Sequence, residues 1–293
     1  MFQASVSVVI PAYNARESID QTLKSIRAQR SPVLETIVVD DGSTDGTGNY
    51  VKQHYPWVNV MEVTNGGPSQ ARNIGVNAAH GHFVALLDAD DVWHPQKTEV
   101  QLRIADQTNA GLVASDWIRH ENFPSIPQTL PLSVISYRDM LVLNRFQTST
   151  VMIKRSLYQE LGGFDSSVDG AEDWDLWLRA AAVSRVVKID WPLVQYRDVE
   201  TGYSKDLWRL YSTMQPAIGK HRSAGVVSTR AFRMIEAWHH LRFWIAFHLA
   251  HDPKHASIAL KRALSPELVA YSVPATARYL LPFLWRRWRM RRR

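Results

Sequence analysis

Short apolar segments alternate with amphipathic segments over the first 110 residues, and this alternation constrains the fold more than any other feature of the sequence. The apolar runs predict strands at 6–11, 35–40, 58–63 and 82–87. The segments with apolar residues at helical spacing predict helices at 14–29, 68–81 and 95–107. Such an order of elements indicates an α/β fold in which helices flank a mostly parallel sheet.

Local signals refine the bounds of two predicted helices. Asn14 and Glu17 have the spacing of a capping box, which predicts that the first helix begins at Asn14. Pro68 near the start and Gly81 just past the end frame the second helix. Further along the chain, the pattern predicts a helix at 171–182 and strands at 111–117, 148–155 and 186–197.

Composition and missing motifs exclude several classes of site. The chain has no cysteine, which excludes disulfides and thiolate metal sites and suits a reducing compartment. The N-terminal residues show no basic stretch before a long apolar one, so we expect no signal peptide. No uninterrupted run of about 18 apolar residues occurs, so we expect no membrane-spanning helix. The phosphate loop G-x-x-x-x-G-K-[ST] and the hydrolase elbow G-x-S-x-G are both absent.

Polar residues follow the predicted strands where ligands bind in this class of sheet. The segment VALLDADD at 84–91 joins an apolar run to three aspartates: Asp88, Asp90 and Asp91. The first two strands are followed by Tyr13-Asn14 and by Asp40-Asp41. Because the carboxyl ends of such strands converge, these carboxylates predict an oxygen-ligated Mg²⁺ or Mn²⁺ that also binds substrate phosphates. The alternative is that the aspartates form turns or cap helices.

Five segments occur in a familiar order: VSVVIPAYN, IVVDDGSTDGT, NGGPSQARNIGVNAAHG, FVALLDADDVWHP and GGFDSSVDGAEDWDLWLRAA. Together they resemble the motifs of family 2 glycosyltransferases, which have the GT-A nucleotide-sugar-binding fold, and the resemblance covers about residues 5–200. It implies an inverting transfer from a nucleotide-sugar, most simply a UDP-sugar, to a hydroxyl of a glycan or lipid-linked glycan. Cell-surface polysaccharide biosynthesis is the expected setting.

The same resemblance implies a division into domains. Residues 1–204 would be the catalytic domain, with a nucleotide-binding half at 1–110 and an acceptor half at 111–204. The sequence from about residue 205 has a helical pattern rich in Trp, Arg and His, and we expect residues 205–293 to form a helical C-terminal region.

The resemblance also assigns the nucleotide pocket. Pro11 and Tyr13 would line the base, where the Tyr13 ring either stacks on the base or packs at the sheet edge. Asp41 would accept a hydrogen bond from uracil N3–H, and thymine presents the same donor. Asp40 would cap the following turn. Arg72 would contact the base or a phosphate, with a surface salt bridge as the alternative.

Two aspartates of the 88–91 cluster are assigned to the sugar-phosphate end of the donor. Asp88 would meet the ribose and assist with the metal. Asp90 would be the principal ligand of Mn²⁺ or Mg²⁺, whereas Asp91 would cap the following segment. Relatives often carry a histidine shortly after a Tyr-Arg pair, but YRDVETGYS has none and Asp198 follows Arg197. We therefore assign this loop no metal or phosphate role.

An inverting transfer needs a general base for the acceptor hydroxyl, and the segment AEDWDLW offers carboxylates. By motif position Asp173 is the expected base and Glu172 its rival, while Asp175 would point away on a helix. Both acidic residues could instead stabilise a helix N-terminus. The aromatic residues of this helix, Trp174 and Trp177, are read as core packing, with a sugar platform as the alternative.

Two other functions fit parts of this pattern. A nucleotidyltransferase shares the fold and needs a metal, but its first-strand loop is rich in glycine and basic residues, whereas PAYNARESI has no glycine. A protein that binds nucleotide-sugars without catalysing transfer is the second alternative. The motifs at Asp41, Asp90 and Asp173 favour an active enzyme.

The last eight residues, RRWRMRRR, contain six arginines, which equal the net charge of +6 and leave residues 1–285 about neutral. With the apolar patch from Leu280 to Trp285, this tail is typical of an interfacial helix on anionic lipid. A solvated basic tail and a nucleic-acid patch are the alternatives. We expect a cytoplasmic protein at the cytoplasmic membrane face, with no nucleic-acid partner.

Overall fold

The computed structural model describes residues 4–120, 122–197 and 206–280. The chain divides into two compact units, Met1–Met140 with Asn144–Gly202 and Leu141–Leu143 with Tyr203–Arg293. The predictions for the tail from 281 onward and for the loop around Asp198 concern residues outside the described ranges.

One mixed sheet forms the centre of the first unit. Its strands are β1 (Val6–Ala12), β2 (Glu35–Asp40), β3 (Asn59–Glu62), β4 (Phe83–Leu86), β5 (Val92–Trp93), β6 (Leu112–Ile118), β7 (Leu132–Val134), β8 (Met152–Lys154) and β9 (Val186–Gln195). The strand order is β3-β2-β1-β4-β8-β6-β9-β5, and β7 pairs with β9.

Helices flank this sheet. They are α1 (Ile19–Arg27), α2 (Thr47–His54), α3 (Pro68–Ala78), α4 (Lys97–Thr108), α5 (Tyr137–Val142), α6 (Arg155–Glu160) and α7 (Glu172–Val183). The predicted strands and helices of the first 110 residues are all present, so the α/β prediction is confirmed.

The strand directions depart from the mostly parallel sheet that the sequence predicts. Strands β1 to β4 pair in parallel, as in β1 with β2 and β4. Beyond β4 the sheet is mixed, because β8 is antiparallel to both β4 and β6, whereas β6 and β9 are parallel. Apolar patterns predict strands without giving their direction, so the sequence could not show this change.

Strand β1 lies between two parallel neighbours and is buried on both faces. Val6, Val8 and Ile10 belong to the main hydrophobic core, and Val9 is also fully buried. This is why the strand is a continuous apolar run rather than an alternating one. Its carboxyl end delivers Tyr13 and Asn14 to the edge where β2 and β4 also end.

The predicted capping box at the first helix is wrong. Helix α1 begins at Ile19 after Ser18, not at Asn14. Asn14 has a left-handed backbone (φ 48°), and its Oδ1 accepts from the Thr44 backbone N–H at 2.8 Å. The side chain therefore joins the loops after β1 and β2 instead of starting a helix.

Helix α3 packs closely on the sheet because it carries a glycine at the contact. A Cβ at Gly75 would lie 2.4 Å from Val9 Cγ1 and 3.1 Å from Val39 Cγ2. The helix begins at Pro68, directly after Gly67 with φ 87°. The close packing at Gly75 places the N-terminal half of α3, which includes Arg72, beside the strand ends.

The second unit is helical in its described part. It contains α8 (Leu207–Lys220), α9 (Thr229–Leu249), α10 (Pro253–Ala263) and α11 (Val269–Ala275). Trp238 Nε1 and His239 Nε2 of α9 donate to the carbonyls of Val142 and Leu141 at 3.0 and 2.8 Å. Among the helices that the structure describes, none has the length and apolar content needed to cross a membrane.

Candidate active site

The loop after β1, which is expected to contact the nucleotide base, combines an exposed side chain with backbone N–H groups that are hydrogen-bonded. The Tyr13 ring is 55% exposed, so it does not pack into the sheet edge and is free to stack on a ligand. Beside it, the Asn14 backbone N–H donates to Ser43 Oγ at 2.9 Å and the Arg16 N–H to Asp45 Oδ2 at 3.0 Å. These bonds tie the loop after Pro11 to the loop after β2. Whether Pro11 and Tyr13 contact a base stays a prediction.

The two aspartates that end β2 have different tasks. Asp40 Oδ1 accepts from the Ser43 N–H at 2.9 Å, which confirms that Asp40 caps the turn. The buried Asp41 carboxylate accepts from the backbone N–H groups of Gly66 at 2.8 Å and Gly67 at 2.9 Å. Each Asp41 oxygen keeps a second lone pair. Asp41 can therefore accept a further hydrogen bond from a base N–H, and this contact stays a prediction.

Arg72 connects two groups of carboxylates. Its Nη2 lies 2.7 Å from Asp88 Oδ1 and its Nη1 lies 3.1 Å from Glu172 Oε1. Arg72 is only 6% exposed, so the alternative of a surface salt bridge is wrong. Burial opposes the charge, but Asp88 and Glu172 raise the pKa of Arg72, and the guanidinium is a fixed cation. Contact of Arg72 with a base or phosphate stays a prediction.

Asp88 and Asp90 keep partly exposed carboxylates at the end of β4, whereas Asp91 is buried. Burial, followed by the charge of Asp88, raises the pKa of Asp90 to about 6. Asp91 accepts from the backbone N–H of Arg197 at 3.1 Å, so the prediction that it caps the next segment is wrong. Its partner is more than a hundred residues away, which no local pattern could indicate.

Arg197 fixes the backbone beneath the 88–91 cluster. Its Nε donates to the Asp90 carbonyl, and its Nη2 donates to the Ser18 carbonyl at 3.0 Å. Arg197 thus holds this loop through its backbone and not through the carboxylates of Asp90 or of Asp88, which pairs with Arg72.

The donor set at this edge suits a hard divalent cation. Within the described ranges no group of three or more His, Cys, Asp or Glu residues is placed to hold a metal by itself. Asp88 and Asp90 provide two carboxylates, and burial together with the charge of Asp88 raises the pKa of Asp90. Mg²⁺ commonly takes one or two carboxylates and completes its shell with water and phosphate oxygens. These residues therefore fit such an ion only together with a phosphate-bearing ligand.

The acidic pair lies at the start of α7, and its members differ in their partners. Glu172 accepts from the Arg72 guanidinium and, through Oε2, from the Gly170 N–H at 2.6 Å. Asp173 accepts from neutral donors, Asn144 Nδ2 at 3.0 Å and the Trp174 N–H at 2.5 Å. Burial and the adjacent Glu172 raise the pKa of Asp173 above its usual range. The raised pKa makes Asp173 a stronger base than an ordinary aspartate.

Three other residues of this helix, Trp174, Asp175 and Trp177, are buried. Asp175 is fully buried and pairs with Arg179 at 2.7 Å, which agrees with its predicted orientation away from the site. Trp174 and Trp177 are buried, so the core-packing interpretation is confirmed and the sugar platform is wrong.

Sequence reasoning missed Asn73, which follows Arg72 directly. Its Oδ1 accepts from the Phe164 N–H at 2.9 Å and from the Tyr158 hydroxyl at 2.6 Å, and its Nδ2 donates to the Phe164 carbonyl at 2.8 Å. These bonds attach the Gly-Gly-Phe turn to α3. The adjacent side chains of α3 therefore hold the acceptor-side loops in two ways, Arg72 by charge and Asn73 by neutral hydrogen bonds.

The carboxylates at the ends of β2 and β4 and at the start of α7 lie where the resemblance to GT-A nucleotide-sugar transferases implies. The family model "Glycosyl transferase family 2" matches residues 7–158, and the chain belongs to that family of glycosyltransferases. A relative from Bacillus subtilis, the putative teichuronic acid biosynthesis glycosyltransferase TuaG, is 31% identical over 217 residues, which are 70% of this chain and 83% of TuaG.

Two solved structures show the same fold. Staphylococcus aureus TarS (residues 1–349), in complex with UDP-GlcNAc, aligns with a TM-score of 0.68 at 20% identity, over 90% of this chain and 81% of TarS. The mannosyltransferase PcManGT from Pyrobaculum calidifontis, in complex with GDP-Man and Mn²⁺, aligns with a TM-score of 0.66 at 24% identity, over 98% and 84% of the two chains.

Proposed function

We propose that the protein transfers a sugar, with inversion, from a UDP-sugar to a hydroxyl of a glycan or lipid-linked glycan in polysaccharide biosynthesis. The observation that carries this proposal is the Arg72 bridge, which joins the Asp88–Asp90 edge to the Glu172–Asp173 pair. One site would thus provide carboxylates for a phosphate-bound cation and, in Asp173, a carboxylate of raised pKa for an acceptor. The relationship to TuaG supports a polysaccharide product.

The nucleotide half of the site would bind and orient the donor. The exposed Tyr13 ring would stack on the base beside Pro11, and Asp41 would accept from uracil N3–H. Asp88 would contact the ribose and, with Asp90, hold Mn²⁺ or Mg²⁺ against the diphosphate. The cation, when bound, supplies positive charge that stabilises the leaving diphosphate.

The acceptor half would remove one proton. Asp173 would take the proton of the acceptor hydroxyl while that oxygen forms a bond to the anomeric carbon. The bond between the anomeric carbon and the diphosphate oxygen breaks, and its electron pair leaves with the nucleotide. Glu172, neutralised by Arg72, would orient the guanidinium rather than act as the base.

Residues 1–204 would form the catalytic domain in this proposal, with a nucleotide half at 1–110 and an acceptor half at 111–204. Residues 205–293 would form a helical C-terminal region whose basic end, RRWRMRRR, binds an anionic membrane surface on its cytoplasmic face. This placement would bring the enzyme to lipid-linked acceptors.

A screen of UDP-, dTDP- and GDP-sugars for Mn²⁺-dependent thermal stabilisation tests the proposal, because a bound ligand raises the melting temperature by mass action. We expect a UDP-sugar to stabilise the protein most and then to be consumed with release of UDP. In the same screen Asp90→Asn should gain little stability from Mn²⁺. Asp106→Asn, at an exposed aspartate of α4, is the matched control for that variant. Stabilisation without donor consumption under any acceptor condition would indicate a binding protein. Release of pyrophosphate from a nucleoside triphosphate would indicate a nucleotidyltransferase.

A further inference from the structure

The loop that follows α5 carries Asn144, whose side chain contacts Asp173, the expected general base. Asn144 Nδ2 donates to Asp173 Oδ2 at 3.0 Å, across 29 residues of sequence. A carboxylate only accepts hydrogen bonds, so the amide must present its NH₂ group to Asp173. This hydrogen bond occupies Oδ2 of Asp173. The other oxygen, Oδ1, accepts from the Trp174 N–H in the first turn of α7.

Helix α7 holds this loop on both sides of Asn144. Before it, Trp174 Nε1 donates to the Met140 carbonyl at 2.6 Å. After it, the Phe146 ring packs on Trp177 with ring centroids 5.7 Å apart. Trp174 and Trp177 are the same residues that could have suggested a sugar platform. In the structure they keep Asn144 in register with the first turn of α7.

The other end of the Asn144 amide has no structural partner. Its Oδ1 is buried and accepts no hydrogen bond within the part of the chain that the structure describes. A side chain retained for packing alone normally satisfies its buried polar atoms, and an orphaned one calls for another explanation. Here the Asn144 NH₂ group donates to Asp173, and the Asn144 Oδ1 atom is left without a donor among the described residues.

The charged neighbours of Asp173 cannot perform this task. Glu172, on the same helix, is negative and raises the pKa of Asp173, whereas Arg72, on α3, lowers it. Arg72 donates its terminal nitrogens to Asp88 and Glu172. Asn144 donates to Asp173 from a neutral side chain and does not form an ion pair with it.

We propose that Asn144 is a positioning residue that holds the Asp173 carboxylate in the orientation and protonation state needed to accept the proton of the acceptor hydroxyl. This inference rests on the proposed function, in which Asp173 is the general base. A neutral donor suits the role, because a cation at the same place would make the carboxylate too weak a base.

Turnover against pH tests the role, with Asn144→Ala, Asn144→Asp and, as matched control, Asn77→Ala at an exposed asparagine of α3. Loss of the donor disfavours the charged carboxylate. The acid limb of kcat should therefore move up by about one pH unit in Asn144→Ala, which lowers turnover about tenfold on that limb. Asn144→Asp adds a negative charge and should move the limb further. UDP affinity, measured by calorimetry, should not change in any variant.

The double variant Asn144→Ala/Asp173→Asn separates this role from a structural one. If Asn144 acts through Asp173, the double variant should turn over no more slowly than Asp173→Asn alone. An additive loss, an unmoved acid limb in Asn144→Ala, or a parallel loss of UDP affinity would each overturn the inference. Near-wild-type turnover of Asp173→Asn alone would instead overturn the base assignment in the proposed function.

Discussion

The guanidinium of Arg72 donates to Asp88 at 2.7 Å, and this contact joins helix α3 to the aspartate cluster that ends β4. The other terminal nitrogen of Arg72 reaches Glu172 at 3.1 Å. One buried cation therefore neutralises part of two acidic groups that would otherwise repel each other. We therefore expect the site to depend on Arg72 for its assembly as well as for its charge.

Replacement of Arg72 should destabilise the protein. Arg72→Met leaves Asp88 and Glu172 without their shared cation and should lower the free energy of unfolding by about 2–4 kcal/mol. Arg72→Lys keeps a charge but presents one ammonium group in place of a two-ended fork, so we expect an intermediate loss. Urea unfolding measures both values. Arg103→Met, at an exposed arginine of α4, should change the stability by less than about 0.5 kcal/mol. Equal values for Arg72→Met and Arg103→Met would contradict the bridging role.

Asp90 should make the metal-free protein less stable as the pH rises. The pKa of Asp90 is raised to about 6 in the folded protein, so the folded state holds its proton where the unfolded state has lost it. This contribution falls as pH increases from about 4 to about 6. Asp90→Asn should consequently stabilise the EDTA-treated protein at pH 7 by about 1–3 kcal/mol, as measured by urea unfolding.

Addition of Mn²⁺ with UDP should reverse that order. The wild type should gain stability because the cation compensates Asp88 and Asp90, whereas Asp90→Asn should gain little and lose cation-dependent transfer. The exposed-site variant Asp106→Asn should behave like the wild type in both conditions. An equal Mn²⁺ response in the wild type and Asp90→Asn would show that the cation binds elsewhere.

Base recognition by Asp41 can be tested separately from the hydrogen bonds by which Asp41 holds Gly66 and Gly67. Asp41→Asn should weaken UDP binding by about 1–3 kcal/mol, because an amide NH₂ replaces one acceptor oxygen. The same change also disturbs the bonds to Gly66 and Gly67. UDP methylated at N3 separates the two effects, since it removes the donor from the ligand instead. If Asp41 reads N3–H, methylation should cost affinity in the wild type and almost none in Asp41→Asn. Equal losses in both proteins would limit Asp41 to holding the loop.

The basic tail should control binding to membranes. Removal of residues 281–293 deletes six arginines, each worth about 1 kcal/mol near an anionic surface, and should abolish sedimentation with anionic vesicles. Wild-type binding should fall steeply with salt because exposed charges are screened. Transfer to a water-soluble acceptor should persist in the truncated protein. Undiminished vesicle binding after truncation would rule out the tail as the membrane contact.

The sequence was sufficient where local patterns decide the structure. The apolar run of β1 and the turn-capping role of Asp40 follow from short-range preferences, and both agree with the structure. The capping box at Asn14 failed because a tertiary partner, Thr44, takes the same side chain. Short motifs offer such residues to several partners, and the fold selects among them.

The electrostatic connections of the site lay beyond sequence reasoning. Arg72 meets Glu172 across 100 residues, and Asp91 meets Arg197 across 106. Asn144 lies in no motif that would have marked it, and only the packing of its loop on α7 brings it to Asp173. Motif position pointed to Asp173, but the different partners of the two residues, Asn144 for Asp173 and Arg72 for Glu172, depend on these long-range contacts.

The rate of transfer by Asp173→Asn, measured together with the affinity for UDP, tests the central claim most directly. The substitution keeps the size of the side chain and removes a group that accepts a proton, so turnover should fall by about 10²–10⁴-fold while UDP affinity stays near that of the wild type. Glu172→Gln, measured in parallel, should retain more turnover because Glu172 is paired with Arg72. Near-wild-type turnover of Asp173→Asn, with Glu172→Gln inactive, would contradict the account and assign the base to Glu172.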